Sequence, residues 1–341
     1  MKIVMNPKKI IDVITNIKAD VPLVAITGMC KNAGKTTFLN WLTANLSTQG
    51  NIALLTTGRD GEDFDLVGGH DKPKVIIPQG SIFVTHSNIL ERFSGKVEIL
   101  HKSNYKAGPF NIWIARALQE LSTEIIGPST ASEQVELASL IKTYSPKYIL
   151  IDGSLDRKAI TLKPEIDAII LVVSANCGTL EEILNELKRL ITLTQIPLLA
   201  KKIKLEPSNN LRLIKNSEVV LEKATLLGYE KEVLTFLNEN EVDYIYFSGV
   251  LTDSIWDKVK YGFEKHAKAI IINHPYQLQM SYGSLQQMLA KLRVSSLYKF
   301  EIACLALNSF SVKGRHLDAD LMYNSISKIT NIPIIDCMEV L

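Results

Sequence analysis

Cysteine is sparse in this chain, and the four present, Cys30, Cys177, Cys304 and Cys337, lie far apart with no C-x-x-C pair among them. The expectation is four free thiols in a reducing cytoplasm, with Cys30 a small buried filler. Charge of one sign is lacking too: the net charge is +2. No basic cluster stands out and aromatics do not alternate with lysines along a strand, which argues against nucleic acid as a partner. No apolar run approaches the about 18 residues of a membrane span, and residues 1–20 lack the apolar core of a secretory leader. Neither a membrane nor export is therefore expected. Internal repeats and low-complexity segments are missing as well. What remains is an ordinary globular composition, 46% apolar and 22% charged, in 341 residues. That length suffices for a sizeable core and two domains.

One stretch carries chemistry. Leu23-Val24-Ala25-Ile26-Thr27 is a short apolar run rich in β-branched residues. Gly28-Met29-Cys30-Lys31-Asn32-Ala33-Gly34-Lys35-Thr36-Thr37 follows it, and Phe38-Leu39-Asn40-Trp41-Leu42 leads on as a helix. Strand, glycine-bounded loop and helix in this order predict a P-loop. Successive backbone N–H groups wrap phosphate oxygens, and the helix start adds the positive end of its dipole. Gly34 lets the backbone approach closely, Lys35 reaches the outer phosphates, and the Thr36 hydroxyl ligates Mg²⁺. Gly28, Lys31, Asn32, Ala33 and Thr37 complete the expected ATP contacts. Five residues separate Gly28 from Gly34, where the usual pattern has four. That longer loop resembles the dethiobiotin synthetase and cobyric acid synthase group of P-loop proteins. Lys31 is similar to the second, signature lysine of their relatives, which implies a role in trans across a homodimer, although its spacing from Lys35 departs from theirs.

Two carboxylates are expected beside this loop. A second buried strand over 52–57 is closed by Gly58-Arg59-Asp60-Gly61-Glu62-Asp63. Loops at the carboxyl ends of adjacent strands converge on a ligand in a doubly wound sheet. Asp60 is thus a candidate to hold Mg²⁺ directly or through water, and Arg59 to touch a phosphate; a solvated polar turn is the plainer alternative. Lys147-Tyr148-Ile149-Leu150-Ile151-Asp152-Gly153 is a buried strand ending in an acid. Asp152 is the expected Walker B carboxylate, orienting the water shell of the Mg²⁺ that Thr36 contacts. Lys35, Asp60 and Asp152 form the expected catalytic set, and Thr36, Asp60 and Asp152 the metal set.

The fold expected is α/β: a P-loop doubly wound, mostly parallel sheet over 1–204, with a second, smaller α/β domain over 205–341. A short helix is expected over 6–18. Strands at 74–77 and 81–85, joined by Pro78-Gln79-Gly80, predict a hairpin-like insertion that covers the nucleotide. His70 has no partner at metal spacing. In the second half, Gly249-Val250-Leu251-Thr252-Asp253-Ser254 and Asn308-Ser309-Phe310-Ser311-Val312-Lys313-Gly314 follow strands at 244–248 and 302–307. Both read as helix caps and turns.

The P-loop, Gly58-Arg59-Asp60-Gly61-Glu62 and Ile151-Asp152-Gly153-Ser154-Leu155-Asp156-Arg157-Lys158 together resemble the reactivase subunit of lysine 5,6-aminomutase and its counterpart in ornithine aminomutase operons. The two second-half stretches extend the similarity over most of the chain. The resemblance implies a helper that uses ATP to open a cobalamin-dependent aminomutase, so that a damaged cobalamin leaves, and that works with a second reactivase subunit. The residues alone leave three classes open: an ATP-driven remodelling protein, a ligase or kinase of the dethiobiotin synthetase type acting on a small carboxylic acid, and a GTPase switch. An Asn-Lys-x-Asp guanine motif is missing, since Asn16-Ile17-Lys18-Ala19-Asp20 has the wrong spacing, and this favours ATP.

Overall fold

The computed structural model describes residues 7–56, 59–60, 74–154, 163–201, 203–311, 314 and 316–336. Helix α1 (Pro7–Thr15) places Ile10, Ile11 and Ile14 on one buried stripe. Strand β1 (Leu23–Gly28) is buried at every position, the pattern of a strand covered on both faces, and leads to α2 (Lys35–Ser47). The equally buried β2 (Ile52–Thr56) comes next. The short β3 (Arg59–Asp60) and β4 (Val75–Ile77) precede β5 (Ile82–His86) and α3 (Ser87–Arg92). A long hairpin, β6 (Val97–Ala107) and β7 (Phe110–Ala117), then gives way to β8 (Leu121–Thr123) and β9 (Ile125–Ile126). Helix α4 (Ala131–Lys142) starts at the N-cap Thr130, whose hydroxyl accepts from the Glu133 N–H and donates to the Glu133 carboxylate. Strands β10 (Tyr148–Ser154) and β11 (Ala168–Ser174) follow, and β11 ends in a single 3₁₀ turn at Ala175–Cys177 before α5 (Leu180–Thr194).

The chain divides into two compact units, one of residues 1–183 with 301–341 and one of 184–300. The second unit holds β12 (Leu211–Lys215), β13 (Glu218–Lys223), α6 (Glu230–Glu239), β14 (Val242–Phe247), β15 (Leu251–Thr252) and α7 (Asp253–His266). It continues through β16 (Ala267–Ile272), β17 (Leu278–Gln279), α8 (Tyr282–Lys291) and β18 (Arg293–Ser296). Its main sheet runs β13-β12-β14-β16-β18, with β14, β16 and β18 parallel and the β12–β13 hairpin antiparallel at one edge. The chain then returns to the first unit with β19 (Ile302–Asn308), α9 (Ala319–Ser327) and β20 (Ile334–Asp336).

The first unit is built on a nine-stranded sheet in the order β20-β19-β11-β1-β10-β2-β5-β7-β6. The seven strands from β20 to β5 are parallel, and the β7–β6 hairpin closes one side antiparallel. Successive residues of a strand face opposite sides, and the core divides accordingly. Val24 and Ile26 pack with Phe38, Leu39 and Leu42 of α2 and with α1, while Leu23, Ile149 and Ile151 pack with α4 on the other face. Helices on both faces are what an all-buried parallel sheet requires. The mostly parallel α/β fold is as the sequence predicts.

Two expectations change. The strands at 74–77 and 81–85 do not pair as a hairpin: β4 joins β8 antiparallel, whereas β5 enters the main sheet beside β2. The consecutive buried residues Ile82 to Thr85 of β5 fit a two-faced sheet position better than a covering flap. The domain division also differs, because β19 pairs with β11 and β20 with β19, so both belong with the P-loop unit. The change of composition near 204 lies inside the second unit, since the chain leaves the first after Ile183. Nothing in the alternation of strands and helices marked its return. Among the described residues no helix is long and apolar enough to cross a membrane.

In the second unit His274 is buried: Nδ1 accepts from the Tyr276 N–H, and the ring donates to the Lys299 backbone. Burial pushes its pKa down to about 4. The folded ring therefore stays neutral while the unfolded chain takes up a proton below about pH 6.5. Stability is expected to fall by about 3 kcal/mol as the pH drops from 6.5 to 4. The check is the NMR titration of the His274 ring, and a midpoint near 6.5 in the folded chain is the contrary result.

Candidate functional site

The loop between β1 and α2 sits at the carboxyl end of a central strand. Gly28 lies opposite Ser154 of β10 and Val172 of β11, and the Met29 N–H donates to the Val172 carbonyl at 2.9 Å. The sheet grows from β1 toward β10 and β2 on one side and β11 and β19 on the other, the kind of switch point where α/β sheets bind ligands. Within the loop, Asn32 (φ 57°) and Gly34 (φ 97°) are left-handed, and such residues turn successive peptide groups into a nest. Both glycines are needed in place. A Cβ on Gly34 would lie 2.7 Å from Asn308 Nδ2, and one on Gly28 would lie 3.0 Å from the Ala33 Cβ and 3.2 Å from Lys35 Cγ. The Lys35 stem thus crosses directly over Gly28. Ala33 is fully buried, Lys35, Thr36 and Thr37 are half-buried, and Lys31 is exposed.

Asp152 is 1% exposed and stands on β10 opposite Ile26 and Thr56. Leu150, two residues earlier, packs in the cluster of α2, so Asp152 faces the same side of the sheet as the helix whose first turn carries Lys35, Thr36 and Thr37. The structure brings the two expected elements together. For Asp60 it describes the backbone alone: β3 pairs antiparallel with β9, Asp60 opposite Ile125 and Arg59 opposite Ile126. Gly58, the segment 61–63, His70 and Leu155 to Lys158 lie outside the described residues. Among the described residues no group of three or more His, Cys, Asp or Glu is placed to hold a metal ion. Mg²⁺ held by a hydroxyl, a carboxylate and phosphate oxygens requires no such group.

Sequence reasoning missed the side chains that hold the loop. Asn176, in the turn after β11, donates from Nδ2 to the Asn32 carbonyl at 2.6 Å. Asn308, the last residue of β19, donates from Nδ2 to the Ala33 carbonyl at 3.0 Å across a separation of 275 residues. Ser311 donates to Asn176 Oδ1 at 2.6 Å, and the Phe310 N–H donates to Asn308 Oδ1 at 3.0 Å. The stretch beginning at Asn308, expected to be a helix cap in a separate domain, is a wall of the loop. The one available signal was an asparagine ending an apolar strand, which caps and turns share.

The cysteines also require a correction. Cys30 and Cys177 form a disulfide, with Cα atoms 5.3 Å apart, and Cys304 is buried; Cys337 lies outside the described residues. Because β11 is the parallel neighbour of β1, the segments leaving both strands emerge side by side. A sequence separation of 147 residues hides that proximity.

No protein-family profile and no curated protein matches this chain. Among solved structures, the kinase domain of Escherichia coli tyrosine kinase ETK is similar over 51% of this chain and 64% of that one, at 14% identity and a TM-score of 0.26. The chain therefore spans less than two thirds of that neighbour's length, and a likeness at this score carries no argument about function.

The crosslink is directly measurable. Proteolysis without reductant should release one peptide pair joining Cys30 to Cys177, and separate recovery of both as free thiols would remove the bond. Replacing both cysteines with serine should cost about 2–5 kcal/mol of stability, as for the loss of a native disulfide closing a long loop.

Proposed function

We propose that this chain binds Mg-ATP in the loop between β1 and α2 and uses its turnover to change the state of a protein partner. The observation that carries the first half is local. The peptide groups at 32–34 are curled by two left-handed residues at the carboxyl end of β1. Lys35 passes over Gly28 at the helix start, and Asp152 lies on the same face. Positive helix end, lysine and curled backbone are together suited to a polyphosphate. The Thr36 hydroxyl and the Asp152 carboxylate are hard oxygen donors that fit Mg²⁺, which would neutralise charge on the phosphates. Lys35 orients and balances the outer phosphates, and Asp152 holds the metal's water shell. The missing guanine motif favours adenine.

Replacing Lys35 with alanine should lower Mg-ATP affinity by at least about tenfold in a folded protein, since a charge-assisted phosphate contact is worth more than a neutral one. Asp152→Asn should retain much of the nucleotide affinity and lose most Mg²⁺-dependent hydrolysis. Calorimetric binding and phosphate release measure the two effects. Unchanged binding in Lys35→Ala, or full hydrolysis in Asp152→Asn, would contradict the assignment.

The partner follows from the motif resemblance: a cobalamin-dependent aminomutase, with a second reactivase subunit acting alongside. ATP can alter such a client only by changing this chain's relative affinity for the client's closed and open states. Intrinsic turnover should then be slow, because a switch without its partner lacks part of what stabilises the transition state. The assay inactivates an aminomutase by turnover and adds this chain, the second subunit, Mg-ATP and fresh adenosylcobalamin. Recovery of activity should require both ATP and this chain, and equal recovery without either rejects the partner. Rapid ATP-dependent conversion of a small carboxylic acid by the chain alone would favour a ligase instead.

A further inference from the structure

The asparagines at the ends of β11 and β19 hydrogen-bond to carbonyl oxygens of the phosphate loop, and this orients its peptide groups. In a trans peptide the C=O of one residue and the N–H of the next point in opposite directions. Asn176 holds the Asn32 carbonyl, so the Ala33 N–H is turned the other way; Asn308 holds the Ala33 carbonyl, so the Gly34 N–H is turned the other way as well. Each amide is itself oriented by a bond to its oxygen, from Ser311 Oγ for Asn176 and from the Phe310 N–H for Asn308. An amide whose oxygen is engaged must present its NH₂ to the loop. The turn after β11 is tied in further by the Asn176 N–H, which donates to Ser174 Oγ at 3.1 Å. Asn308 is 8% exposed and Ser311 2%, so water competes little for these bonds.

We propose that Asn308 and Asn176 are positioning residues that aim the Ala33 and Gly34 N–H groups at a bound phosphate, with Ser311 fixing the amide of Asn176. The role rests on the phosphate-binding reading of the loop. Phosphate affinity here comes from backbone donors, and donors already oriented before binding cost no ordering when the ligand arrives.

The experiment uses the full chain with Asn308→Ala, Asn176→Ala and Ser311→Ala. Two ligands are titrated by calorimetry, Mg-ATP and inorganic tripolyphosphate with Mg²⁺, and amide hydrogen exchange over residues 31–34 is followed without ligand. Both asparagine variants should weaken ATP and tripolyphosphate equally, by about tenfold, and speed exchange in the loop by a similar factor. Ser311→Ala should do the same by about threefold, because it frees one amide without removing it. A variant that loses ATP but keeps tripolyphosphate would place its asparagine against another part of the nucleotide and overturn the proposal. Unchanged affinity for both ligands would overturn it too. A wild-type chain that binds neither ligand ends the phosphate reading and the aiming role with it. The exchange measurement then reports separately whether the asparagines hold the loop. Should Asn308→Ala fail to fold, the half-buried Asn176 and the Ser311 hydroxyl carry the same test.

Discussion

Two carbonyl groups, those of the half-buried Asn32 and the buried Ala33, impose the constraint on which the site depends. Where the backbone turns left-handed it leaves the regular hydrogen-bond ladders, and its polar groups must find partners elsewhere. Here the partners are side-chain amides, one from each of two neighbouring strands, and both point at the loop from the same edge of the sheet. A nest of N–H groups therefore exists only because the opposite sides of the same peptides are already occupied.

That arrangement makes the sheet order a condition of the chemistry. Strand β1 brings the loop, β10 brings Asp152, β11 brings Asn176 and Cys177, and β19 brings Asn308. Parallel pairing delivers all four carboxyl ends to one edge. The second unit is inserted in sequence between β11 and β19, so the last wall of the loop is contributed after an entire separate sheet has been made. The disulfide and the asparagine bonds act on adjacent parts of the same loop, Cys30 being held to the turn that also carries Asn176.

Much of this was legible in the sequence wherever the signal was local. An apolar run, a glycine-bounded loop and a helix placed β1 and α2 within a residue or two, and an apolar strand ending in Asp152 placed β10 and its acid. The side of the sheet that Asp152 faces followed from strand periodicity once Leu150 was seen against α2. What was not legible depends on register between distant segments. Asn308 looks like any polar residue after a strand until β19 is known to lie beside β11. Cys30 and Cys177 look like unrelated thiols for the same reason, and the strands at 74–77 and 81–85 suggested a hairpin because short spacing favours local pairing. In each case the missing fact was which strands are neighbours, and local pattern does not encode that.

The position of β1 in the chain has a consequence for synthesis. Leu23–Gly28 leaves the ribosome long before its partners: both its sheet neighbours, Tyr148–Ser154 and Ala168–Ser174, are made well over a hundred residues later. At ordinary elongation rates that is a wait on the order of ten seconds. Throughout it, an uncharged strand of Leu, Val, Ala and Ile has both edges open. Such a strand is the template on which nascent chains mispair with one another, and non-local parallel pairing is slow to close even when the partners have arrived. The same centrality that shields β1 in the finished sheet makes it the segment of the growing chain most in need of a holding chaperone.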